Sequence, residues 1–176
     1  TLLRYFQQTE NRRPDIETVA ADLEADRLAV VEKLLGEGKA VYLTRELPGA
    51  AERWSLSAVG PLIKVNPEPI FSPPSFSTPV NQAIAPGINL LGYTLSYPAH
   101  SGNGPAPIRL TFVWQVQPRS APDSEANSRP ITADLKVSAR LLDPAGEVRA
   151  VVDAVPVHFA YPTSSWRSGE IITDVY

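Results

Sequence analysis

The sequence predicts an α+β protein in two parts: a small α/β segment containing a β-α-β unit, followed by an all-β sandwich of immunoglobulin-like type. Three observations predict it. A helical pattern with an apolar stripe lies early in the chain. From about residue 90 the chain turns to short alternating segments punctuated by turns. Between them lies a proline-rich stretch almost without charge. Residues 1–66 carry 9 Lys+Arg and 10 Asp+Glu, residues 67–107 carry Glu68 alone, and residues 108–176 carry 7 basic and 8 acidic side chains. Ten of the 18 prolines fall between Pro61 and Pro107. The resulting division is an α/β subdomain over 1–66, an extended linker over 67–80 and a β-sandwich over 81–176.

In the first part, residues 1–11 read as a short helix with Leu2, Leu3 and Phe6 on one side. Residues 22–37 read as a second helix. Leu23, Val30, Val31, Leu34 and Leu35 form its stripe, Asp22, Glu24 and Asp26 suit its positive N-terminal end, and Gly36 and Gly38 offer a stop. Residues 39–44 read as a buried strand. Residues 15–20 either extend the helix backward or form a strand before it, and the second choice makes the β-α-β unit with a parallel strand pair. Residues 55–65 read as a strand or a hairpin broken at Gly60 and Pro61.

In the linker, Pro67, Pro69, Pro73 and Pro74 fix φ and remove donors, so helix interior and central strand are excluded. In the second part, residues 90–96 form a strand. Ile108, Leu110, Phe112, Trp114 and Val116 alternate with mostly polar residues, as do Leu135, Val137, Ala139 and Leu141, and both stretches read as half-buried strands. Asp143 to Gly146 is a turn, with 148–155 returning as the hairpin partner. Residues 118–130 are a long loop. Residues 155–176 are expected to close the sheets through an apolar run, a turn on Pro162, Thr163 and Ser164, Trp166, a turn at Ser168 and Gly169, and a last strand over 170–176.

Composition and motifs exclude much. A net charge of −3 argues against a nucleic-acid partner. The absence of cysteine removes thiol chemistry and disulfides. No phosphate loop, dinucleotide fingerprint or nucleophile elbow is present, so no cofactor is expected. His100 and His158, the two histidines, read as surface or edge residues rather than a metal pair. Trp114 belongs to the core, and Trp54 shields the first part's sheet. Tyr161, Trp166 and Arg167 sit on a turn, and they read either as packing or as a platform on which a sugar ring stacks.

Several stretches in order carry a resemblance. These are RRPDI (12–16), GKAVYLTRELPG (38–49), VGPLIKV (59–65), LLGYTLS (90–96), LTFVWQV (110–116), ARLLDPAGEV (139–148) and YPTSSWRSGEIITDVY (161–176). Together they resemble the C-terminal soluble part of large polytopic bacterial membrane proteins similar to protein O-mannosyltransferases, glycosyltransferases of the GT-C class that use lipid-linked sugars. The resemblance implies an extracytoplasmic, non-catalytic accessory domain, tethered through upstream membrane helices that carry the catalytic acids. It favours the strand reading of 15–20. It implies a glycan or a protein acceptor as partner, and an open edge at 170–176 where two copies pair into a homodimer. The start at Thr1 and the lack of methionine fit a piece of a longer protein. Two rivals stay open: a purely structural protein–protein interaction module, and an enzyme with its site in the cleft between the two parts.

Overall fold

A computed structural model describes residues 7, 9–10, 13–21, 23–98, 107–118, 131 and 133–176. The protein is β-rich, with strands far outweighing helix. Gln7, Thr9 and Glu10 are helical; most of the helix expected over 1–11, the 118–130 loop and His100 lie outside the described residues.

Helix α1 (Glu24–Gly36) forms where the apolar spacing places it. Val31 is buried, and Leu28, Leu34 and Leu35 pack against the core from the same side. Leu23 departs from the expected stripe: it is the N-cap residue and is 68% exposed. The last turn closes as its glycines foretell. Gly38 takes φ +73, its N–H donates to Leu35 O at 2.9 Å, and the Lys39 N–H donates to Leu34 O at 3.0 Å.

Strand β1 (Val41–Leu43), the single-turn helix α2 (Ala50–Arg53), β2 (Ser55–Val59) and β3 (Leu62–Asn66) follow. The β2–β3 pair is a hairpin turning at Gly60 and Pro61, with Val59 opposite Leu62. The three strands lie in the order β1-β3-β2, and both pairings are antiparallel. The expected β-α-β unit with its parallel pair is therefore corrected. Residues 15–20 are neither helix nor strand, and Ile16 and Val19 are exposed. The position beside β1 is filled by β3, which arrives antiparallel because the tight hairpin after β2 reverses the chain between β2 and β3.

The second sheet contains β4 (Thr78–Ala85), β5 (Ile88–Ser96), β6 (Arg109–Val116) and β9 (Ile171–Val175), in the order β4-β5-β6-β9 and antiparallel throughout. β4 begins inside the stretch read as linker. Pro79 is tolerated there because β4 is an edge strand. Pro86 and Gly87 turn the chain from β4 into β5, with Gly87 at φ +79. β6 lies between β5 and β9, and Val113 and Trp114 are both buried. The break in its alternation at Val113 thus marks an inner strand covered on both faces. Strands β7 (Val137–Leu142) and β8 (Val148–Ala154) form a separate antiparallel ribbon. Asp143 builds its turn, accepting the Ala145 and Glu147 N–H groups on Oδ1, both at 2.9 Å, while Gly146 takes φ +84.

Buried side chains from α1 through β9 form one cluster, including Val31, Leu56, Ile63, Trp114, Tyr161, Trp166 and Ile172. β2 runs alongside β9, and the linker carbonyl of Ile70 accepts the Ile171 N–H at 2.7 Å. β9 is the outermost strand of its sheet, and the edge expected to receive a second copy meets this chain's own backbone at Ile171.

Candidate functional site

The turn expected at Pro162 is a 3-10 helix over Thr163–Ser165. It delivers Trp166 and Arg167 to the end of β9. Tyr161 is fully buried, Trp166 is 8% exposed, and the two rings stand 6.4 Å apart at 45°. The indole Nε1–H of Trp166 donates to Tyr161 O at 3.2 Å. Stacking on a sugar needs an open ring face, and neither ring offers one. The arrangement is the packing alternative: two large aromatics in the core, each with its polar handle engaged. Arg167 is half-buried, and its Nη2 donates to Arg53 O at 3.4 Å.

The chemistry gathered around these residues centres on a group the sequence reading missed, the fully buried carboxylate of Glu170. The Tyr161 hydroxyl lies 3.0 Å from both of its oxygens and donates to them. Ser55, from β2, donates its hydroxyl to Oε1. The Arg167 backbone N–H donates to Oε2 at 2.8 Å. An isolated carboxylate in the interior would cost many kcal/mol, so three donors are what makes this burial tolerable. Burial, followed by the nearby Glu170 charge, raises the Tyr161 hydroxyl well above the usual phenol range.

Four residues on, the pattern repeats. Asp174 is fully buried; its Oδ1 accepts the Val157 and Val175 N–H groups at 2.8 and 3.1 Å, and its Oδ2 accepts the Tyr176 hydroxyl at 2.5 Å. Burial raises the Asp174 carboxyl and the Tyr176 hydroxyl. The Trp114 indole N–H is near enough to favour the charged form of Asp174 but has no partner at hydrogen-bond geometry. The bond to Val157 pins an unusual backbone: Val157, His158 and Phe159 take φ +57, +55 and +69 in succession. Left-handed conformation costs an L-residue about 1–2 kcal/mol. The expected apolar run is therefore a left-handed turn, fixed by Asp174 on one side and by His158 Nε2 on Gly60 O at 2.8 Å on the other.

The residues of a hydrolytic centre, a serine, a carboxylate and a phenol, do meet here. They are committed to one another and closed to solvent. Among the described residues no three His, Asp or Glu side chains converge to hold a metal ion. Nor, among them, is any helix long and apolar enough to cross a membrane. The signal for the buried carboxylates was their spacing. Glu170, Ile172 and Asp174 share one face of a period-two strand, so two acids flank a core residue.

The opposite situation holds on the β7–β8 ribbon. Leu141, Leu142, Val148, Val151 and Val152 are all exposed, Leu142 by 54% and Val151 by 51%. Leu141 was expected to face the core; it lies beyond the reach of the body, near the ribbon's turn, whereas Val137 and Ala154 at the base pack inward.

No protein-family model, curated protein or solved structure matches this chain.

Proposed function

We propose that this chain is a non-catalytic accessory module of a membrane glycosyltransferase-like protein, held on the extracytoplasmic side, and that it acts by docking protein rather than by transforming a substrate. The observation that carries the reading is the contrast between its two notable regions. The reactive side chains Ser55, Tyr161 and Glu170 are sealed inside the fold. The β7–β8 ribbon, by contrast, gathers five exposed large apolar side chains on one element. Exposed apolar surface of this kind is the mark of an interaction site. The order of motifs supports the glycosyltransferase-like setting, and the strands from β4 onward form an immunoglobulin-like unit in this proposal. A protein partner is preferred to a glycan because the Tyr161 and Trp166 rings are covered.

The test is sugar transfer by the parent membrane protein carrying Ser55→Ala or Glu170→Gln. Thermal stability falls, and transfer per folded molecule stays within about twofold of wild type, since these groups are structural. A loss of transfer of a hundredfold or more at unchanged stability would make the cluster a catalytic centre and end the proposal.

A further inference from the structure

Every sheet has edges, and this fold treats them unequally. β4 is blunted by Pro79, by Asn81 at φ +53 and by two register shifts. β9 is flanked by β2 and Ile70. β1 spans only three residues. The approach to β7 is fastened to the 3-10 turn: the Leu135 N–H donates to Thr163 Oγ1 at 2.9 Å, and Thr163 Oγ1 donates to Ala133 O at 2.7 Å. Of these devices β8 shows one, a register shift near its start, where Leu141 pairs with Ala150 and Leu142 with Val148 so that Arg149 bulges from the β7 ladder. The strand runs for seven residues without proline or glycine, and among the described residues it pairs with β7 alone. A two-stranded ribbon is marginal in water, and a third strand is what makes such a unit stable.

The sequence of β8 says which strand fits. Val148, Arg149, Ala150, Val151, Val152, Asp153 and Ala154 are self-complementary when two copies run antiparallel about Val151. Arg149 of each copy then stands opposite Asp153 of the other, and Ala150 opposite Val152. Shifting the centre to Ala150 sets Glu147 against Asp153, a like-charge pair. Shifting it to Val152 sets Asp153 against Val151 and Arg149 against Val155. Opposite charges across a strand pair are favourable and like charges are not. Arg149 holds Asp143 and Glu147 within its own chain at 2.6 and 3.2 Å, and its guanidinium has five N–H donors, enough to serve a second acid as well.

We infer that two copies of this chain associate through their β8 edges, antiparallel and centred on Val151, so that the two ribbons join into one four-stranded sheet. This rests on the reading of the ribbon as the docking surface and names its occupant. The interface is isologous and closes on itself, so it yields a dimer and not a fibre.

A cysteine scan decides it, because the chain has no cysteine of its own and each variant carries one thiol. In the intact chain, Val151→Cys meets its own copy at a Cα separation of about 4.5–5.5 Å, within disulfide reach. On mild oxidation it cross-links at least tenfold faster than Ala150→Cys or Val152→Cys. Sedimentation gives twice the 19.1 kDa chain mass for wild type and for an Arg149→Asp, Asp153→Arg exchange. Asp153→Arg alone gives the single-chain mass. A single-chain mass for wild type at about 100 μM, or cross-linking indifferent to position, overturns the dimer. Such a result leaves the transfer assay above untouched, so the two readings fail separately.

Discussion

Tyr161→Phe tests whether the buried carboxylate is the hinge pin of the junction between β2 and β9. The substitution keeps the ring, and with it the packing on Trp166, and removes one hydroxyl that stands 3.0 Å from both Glu170 oxygens. Hydrogen bonds to a charged group contribute roughly 1.5–3 kcal/mol. Glu170 keeps Ser55 and the Arg167 N–H as donors, so the expected loss is about 2 kcal/mol. For a chain of this size that lowers Tm by about 4–8 °C and the urea midpoint by about 1 M. Urea unfolding followed by tryptophan fluorescence and by circular dichroism measures it. A companion Glu170→Gln variant and the double variant complete a cycle whose coupling is at least about 1 kcal/mol. The pH dependence has a defined sign. The folded state holds the Tyr161 proton more tightly than the unfolded chain, whose value is near 10.0. The hydroxyl's contribution is therefore whole below pH 10 and is lost as pH rises beyond it, so the gap between wild type and variant narrows in alkali. A stability change below about 0.5 kcal/mol, or a gap that widens above pH 10, refutes the reasoning.

Asp174→Asn separates burial from hydrogen bonding at the left-handed turn. The Asp174 carboxyl is raised above 3.8 by burial, so its contribution to stability is whole below that pH and declines as pH rises through the folded value. The variant, which can still accept the Val157 and Val175 N–H groups, gains on wild type as pH goes from 4 to 7 in a denaturation series. Gly92→Ala tests steric fit. A Cβ there would stand 2.3 Å from Phe76 Cδ2 and 2.5 Å from Thr78 O, and the backbone oxygen cannot swing aside, so the substitution costs about 3 kcal/mol. Gly146→Ala, with open space around it but φ +84, costs only about 1 kcal/mol; the reverse order in chemical denaturation would contradict the structure.

What was legible in the sequence was what local chemistry decides. Helix α1 follows from its stripe and its terminal glycines, the ribbon turn from Asp143 and Gly146, and the β2–β3 hairpin from Gly60 and Pro61. Alternation located β6 and β7, though burial at Leu141 failed because periodicity reports which face a residue takes and not whether anything lies above that face. β4 was hidden by Pro79, since proline argues against a strand unless the strand is known to be an edge. The β-α-β expectation failed because strand direction depends on which later segment arrives beside β1, and no local signal carries that. At the candidate site, Tyr161, Trp166 and Arg167 were brought together as read, but around a carboxylate rather than toward solvent. Glu170 was overlooked because a lone acid at a strand end looks like surface until its donors, one of them 115 residues away at Ser55, are in place. The left-handed run at 157–159 has no composition that announces it; valine and phenylalanine are poor candidates for positive φ.

The position of β9 bears on how the protein comes to be made. β6 is synthesised some 60 residues before the strand that covers its second side, with Trp114 opposite Ile172 and Gln115 opposite Ile171. Until that segment emerges, β6 has one uncovered flank, Ser55 waits for its acid, and nothing holds Val157 in its unfavourable turn. Pairings so distant along the chain close slowly, and a nascent chain halted short of them presents adhesive surface. The sheet is therefore completed only once β9 has been made, and until then the β6 flank stays bare.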